Sequence, residues 1–133
     1  MKSEVGDMEE LVLPRPTSAT VSGPRLAYQE RRLVVEYDYQ RDDGVVEWCR
    51  VAFHGVATFE FRRDVCCTAE DIVSLTGVVR RQRSRWLAQT TRCLRTSLGP
   101  ALSSEEEASY ADWRIYFDDV GCVGVVAQSM EIG

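Results

Sequence analysis

One histidine, five cysteines and two pairs of adjacent aspartates carry the side chains best suited to catalysis or metal binding in this 133-residue chain. Imidazole is the usual acid or base near neutral pH. His54, however, stands beside Gly55 at the end of an expected strand, with no nucleophile signature near it, so a structural role is expected. Cys49, Cys66, Cys67, Cys93 and Cys122 form an odd set without C-x-x-C spacing. Such thiols are read as small core hydrophobes in a reducing compartment rather than as a disulfide framework. The vicinal pair Cys66-Cys67 would need an unusual strained ring to act as a redox couple, and soft-metal sites require about four clustered ligands. Asp118 and Asp119 are read as turn formers pointing apart. No catalytic residue, metal ligand or cofactor is therefore expected.

Charge is distributed more tellingly. Between Ile72 and Ser104 lie Arg80, Arg81, Arg83, Arg85, Arg92 and Arg95 without a single acid, while the net charge of the whole chain is −5. Acids gather instead at 4–10, 38–47 and 105–119. A basic strip can hold phosphates. An isoelectric point near 4.9 opposes association with a polyanion, and there is no aromatic-basic RNA motif or glycine-rich phosphate loop. The strip of Arg80, Arg81, Arg85, Arg92 and Arg95 is accordingly read as a solvated face paired with the protein's own acidic loops, and nucleic acid is disfavoured as a partner.

At 44% apolar and 28% charged residues, the composition is that of an ordinary globular domain. Fifteen arginines stand against one lysine, with no asparagine and three isoleucines, which suggests a GC-rich bacterial genome such as an actinobacterium. The first residues carry acids where a secretory signal carries basic and apolar ones. A cytoplasmic protein without a membrane partner is expected.

The elements follow from periodicity. Residues 1–24 end in PRPTSATVSGP and are read as a flexible tail, with Leu11 to Leu13 able to dock; residues 25–133 form one domain. Leu33, Val35, Tyr37 and Tyr39 alternate with polar residues, which predicts a strand; Asp43-Gly44 predicts a hairpin into a second strand to about Phe53. The run 56–62 predicts a third, making a three-stranded meander. Thr68 caps an expected short helix ended by Gly77. Ser84 caps a longer one with a stripe of Trp86, Leu87, Thr90, Leu94 and Leu98, of which Trp86, Leu87 and Leu94 are expected to pack on the sheet, stopped by Gly99-Pro100. After an acidic loop at 103–109, a closing hairpin is expected, from Trp113 to Phe117 and from Cys122 to about Ser129. The expected fold is α+β: an antiparallel sheet of about five strands in the order β-β-β-α-α-β-β, with helices on one face.

The segments WRIYFDDVGCVGVVAQSMEI and DGVVEWCRVAFHGVATFEF resemble a loose group of small bacterial β-rich domains, several of which resemble immunity proteins that neutralise polymorphic toxins. Val123 and Gly124 stand where that group carries an aromatic and an acid after the Gly-Cys pair, and the resemblance transfers no active residue. It implies a non-enzymatic protein-binding module. An acidic surface of Asp42, Asp43, Glu47, Asp118 and Asp119 would suit a basic toxin domain as partner. The alternative is a small ligand-binding domain or enzyme with a pocket on the sheet formed by His54, Tyr37, Tyr39 and a cysteine. A homodimer paired through an edge strand is compatible with either.

Overall fold

The structure is a computed structural model that describes residues 8–20, 22–69, 71–72 and 77–133. Among the described residues nine strands form two antiparallel sheets: β1 (Met8–Val12), β2 (Arg25–Gln29), β3 (Arg32–Gln40), β4 (Val46–His54), β5 (Thr58–Arg63), β6 (Gly77–Arg81), β7 (Ala111–Phe117), β8 (Gly121–Ala127) and β9 (Ser129–Ile132). One sheet has the order β1-β6-β7-β8-β5 and the other β2-β3-β4-β9. Two helices follow β6: α1 (Arg85–Leu98) and the short α2 (Ser104–Ser109). The fold is α+β, but the single five-stranded sheet expected from the sequence is corrected to nine strands in two packed sheets.

The two sheets face each other across one core. Leu33, Val35 and Tyr37 of β3 and Cys49, Val51 and Phe53 of β4 meet Trp113, Ile115 and Phe117 of β7 and Val123 and Val125 of β8. Tyr37 packs edge-on against Phe117 at 5.3 Å between ring centroids, and Phe53 against Trp113 at 5.9 Å. The other side of the five-stranded sheet lies under α1, where Leu87 is buried with Tyr110 and Val126, and Trp86 and Leu94 are partly buried. Gly124 lets the helix approach closely: a Cβ there would stand 3.1 Å from the Trp86 ring. With both faces covered, every residue of β7 and β8 is buried, polar ones included.

The expected meander is also corrected. β3 and β4 form the anticipated hairpin, with Gly44 at φ 85°, but β5 leaves them and pairs with β8. Gly55 at φ 65° turns the chain, after which the Val56 amide donates to the Arg31 carbonyl in the β2–β3 turn of one sheet and the Ala57 amide to Val126 in the other sheet. Three residues, 55–57, thus carry the chain from sheet to sheet.

Of the segment read as a tail, residues 1–7 lie outside those described, and Met8 onward carries regular structure. β1 pairs with β6 over Met8↔Arg81 to Val12↔Gly77, and Leu13 and Thr17 are buried. The described residues between β1 and β2 lie across one end of the sandwich as a strap. The Tyr37 hydroxyl donates to the Arg15 carbonyl at 2.6 Å, the Asp118 amide donates to the Thr17 carbonyl, and the Asp38 carboxylate accepts the Ser22 amide at 3.0 Å.

The short helix expected after Thr68 falls partly outside the described residues. Its described start is a turn in which Asp71 accepts from the Thr68 amide at 2.8 Å, while Gly77 opens β6. The expected acidic loop contains α2, capped by Ser103, whose hydroxyl accepts the Glu106 amide at 3.1 Å. Its three glutamates lie in the first turn, where the helix dipole favours them.

Candidate functional site

The β3–β4 and β7–β8 turns come to the same end of the sandwich, because Tyr37 and Phe117, just before them, are packed together. The five acids singled out by charge divide there. Glu47 receives Arg15 at 2.8 Å and Arg41 at 3.2 Å, and Asp43 receives Arg41 at 2.7 Å. The Arg15 hydrogen bond holds the Glu47 carboxyl below its ordinary value despite some desolvation. Asp42, Asp118 and Asp119 make no ion pair among the described residues. Asp119 adopts φ 60°, as turn chemistry allows for aspartate. Next to this acidic end, Val45, Val46 and Trp48 are 49%, 46% and 45% exposed, and Arg25 stacks on the Trp48 ring at 4.2 Å.

The arginine strip, continuous in sequence, is divided in space. Arg80 lies on β6 with its guanidinium 5.5 Å from the Trp113 ring, on the sandwich side of the sheet, whereas Arg85, Arg92 and Arg95 are exposed on α1 across the sheet. Arg81 alternates to the side opposite Arg80. Arg95 pairs with Glu107 of α2 at 2.8 Å. The five arginines therefore present no single phosphate-binding surface.

The residues of the alternative pocket are not brought together. His54 lies on the outer face of β4, its side chain 39% exposed and 2.8 Å from Glu131, while Tyr37 is completely buried in the core beside Cys49. No group of three or more His, Cys, Asp or Glu able to hold a metal occurs among the described residues. No helix there is long and apolar enough to cross a membrane.

Beneath α1 lies a buried polar cluster that sequence reasoning missed. Arg114 donates to Asp112 at 2.8 Å and forms an ion pair with Asp71, both carboxylates being fully buried. The Ser84 hydroxyl donates to Asp112 at 2.6 Å while accepting the Leu87 amide at 3.0 Å, so the cap of α1 is tied to β7. Burial opposes ionisation of Asp71, but the Thr68 amide, Arg114 and Arg62 outweigh it and hold the carboxyl below its usual value. Every partner is satisfied within the chain, so this cluster positions α1. Nearby, burial is the main reason the Cys122 thiol is pushed up to about 12.

The cysteines offer a direct check. Cys66 and Cys93 are exposed, whereas Cys49 and Cys122 are buried. Alkylation of the folded protein at pH 8 is expected to modify Cys66 and Cys93 rapidly and to spare Cys122, which is both enclosed and protonated there. Peptide mass mapping reads the order; early labelling of Cys122 would contradict the placement of β8 under α1.

A second feature that the sequence did not reveal lies along the side of the sandwich. β2 and β5 are edge strands of different sheets, and Tyr28 meets Phe59 at 5.5 Å across the gap. Register places Leu26 and Tyr28 opposite the core residues Val35 and Leu33, and Phe59 and Phe61 opposite Val125 and Val123. These four side chains face inward yet are 36–50% exposed. The signal was the Phe59/Phe61 alternation, whose edge position only the sheet order reveals.

Compared with protein-family models, curated proteins and solved structures, the chain matches none of them.

Proposed function

We propose that the chain is a non-enzymatic module that captures a basic protein partner at the end of the sandwich where the β3–β4 and β7–β8 turns meet. The observation that carries this reading is the convergence of Asp42, Asp118 and Asp119, without ion pairs among the described residues, beside the exposed Val45, Val46 and Trp48. An aromatic and aliphatic centre flanked by charge is the usual anatomy of a protein-binding patch. Unpaired acids accelerate encounter with a positive surface and reject negative ones. The finer reading is an immunity-type protein that covers a basic toxin domain; the acidic character of the patch and the resemblance of the two hairpin segments support it.

The test starts with affinity capture from the native host, followed by binding kinetics of the captured protein. Substituting Asp42, Asp43, Asp118 and Asp119 together with lysine is expected to slow association by more than about tenfold and to flatten its salt dependence. The melting temperature is expected to fall only modestly, through the Asp119 turn position at φ 60° and the lost Val45 amide bond to Asp43, since the exposed charges themselves contribute little to stability. Unchanged association kinetics would refute this surface. Tight retention of DNA or RNA in a low-salt gel shift would replace the reading with nucleic-acid binding.

A further inference from the structure

Among the described residues four strands have a free edge, β1 and β5 in one sheet and β2 and β9 in the other, and unpaired edges invite another strand. Their sequences differ in what they can pair with. A twofold antiparallel pair of β1 at its mid-strand centre sets Glu10 against Glu10, whereas β2 carries one arginine and β9 one glutamate, each without a complement in its own strand. β5, Thr-Phe-Glu-Phe-Arg-Arg, is different: in a twofold antiparallel pair centred on Phe61, each Glu60 faces Arg62 of the other copy, and Phe61 faces Phe61. Glu60 and Arg62 lie together on one side of the strand, 2.9 Å apart, and Arg62 also reaches Asp71 at 3.5 Å, so the exchange would trade the Glu60 contact while Arg62 stays anchored beside the strand. On the other side, Phe59 and Phe61 remain 37% and 42% exposed although they point toward the core.

From this we infer that a second copy of the chain pairs with the first along β5, joining the two five-stranded sheets into one continuous sheet and covering the open side of the sandwich. Cross-strand opposite charges and facing aromatics are the pairs that stabilise antiparallel strands, and like charges directly opposite are destabilising. The occupant is a second copy rather than an unrelated strand, because β5 alone among the four edges is complementary to itself in charge. This surface is distinct from the acidic end, so partner capture and self-association can fail independently.

Sedimentation of the full chain tests the pairing. At about 100 μM the wild type is expected to sediment at twice its 15.1 kDa mass, since dimerisation follows mass action. Glu60→Arg, which sets arginine against arginine across the twofold, is expected to sediment as a monomer with an unchanged melting temperature. Ile132→Lys on the β9 edge should leave the dimer intact. Register is tested separately, with Cys66 and Cys93 replaced by serine. Phe61→Cys is expected to yield a covalent dimer on mild oxidation, because directly opposite residues lie within disulfide reach. Phe59→Cys should not, because it stands opposite residue 63 of the other copy. A wild type that remains monomeric, a dimer that survives both Glu60→Arg and high salt, or equal crosslinking at 59 and 61 would overturn the inference.

Discussion

Replacing Arg114 with alanine is expected to cost about 3–5 kcal/mol, the usual penalty for removing one member of a buried ion pair and leaving the other charge uncompensated. Arg114 serves two fully buried carboxylates, Asp71 and Asp112, and its guanidinium lies 5.4 Å from the Trp86 ring. Its loss removes the main counter-charge from the Ser84–Asp112 cap of α1 and from the turn at Thr68. The pH dependence has a definite sign. Asp71 has a depressed pKa in the folded wild type, so its stabilising contribution is present above the unfolded value and is lost as pH falls through the folded one. In Arg114→Ala the same carboxyl is buried without its principal cation, and protonating it relieves the variant. The stability gap should therefore be widest near neutral pH and narrow toward about pH 4, near the unperturbed aspartate value. Urea unfolding at several pH values measures it; a loss under about 1 kcal/mol at pH 7, or a gap that widens in acid, would contradict a buried network.

Phe53→Ala should have a comparable effect for a different reason. Phe53 is completely buried between the sheets and meets Trp113 edge-to-face, so truncation removes apolar contact and leaves a cavity that strands fixed on both sides close poorly. A loss of about 3–5 kcal/mol is expected. Leu98→Ala serves as the contrast: the leucine is 46% exposed at the end of α1 and should cost no more than about 0.5 kcal/mol. Denaturant melts of both variants distinguish them, and near-equal losses would mean that Phe53 does not stand at the centre of the core.

What the sequence made legible was local. The alternation from Leu33 to Tyr39, the Asp43-Gly44 turn and the Ser84 cap each specify their element by nearest-neighbour physics, and β3, β4 and α1 form where expected. Sheet membership was not local. Whether β5 continues beside β4 or crosses to β8 depends on one backbone reversal at Gly55. The β2–β3 turn uses Glu30 and Arg31 at φ 51° and 63°, outside the glycine and asparagine signals by which such turns are recognised. In β7 the alternation of Trp113, Ile115 and Phe117 with Arg114 and Tyr116 reads as inside and outside, but α1 covers the second face. The acids of the candidate surface were legible as charge; that Arg15 and Arg41 bind two of them was not, since Arg15 lies 32 positions from Glu47.

The strap across the acidic end also bears on the order in which the chain matures. β1 and the described residues of the strap leave the ribosome before their partners, which are β6, the end of β3 and the turn after Phe117. Contacts so distant along the chain close slowly, and synthesis proceeds at about 5–20 residues per second. β1 therefore stays without its partner strand until β6 has emerged, and the Thr17 carbonyl without the Asp118 amide until β7 has followed. The surface beside Asp118 and Asp119 is completed only then, so a nascent chain presents no finished binding end before the whole sandwich can close.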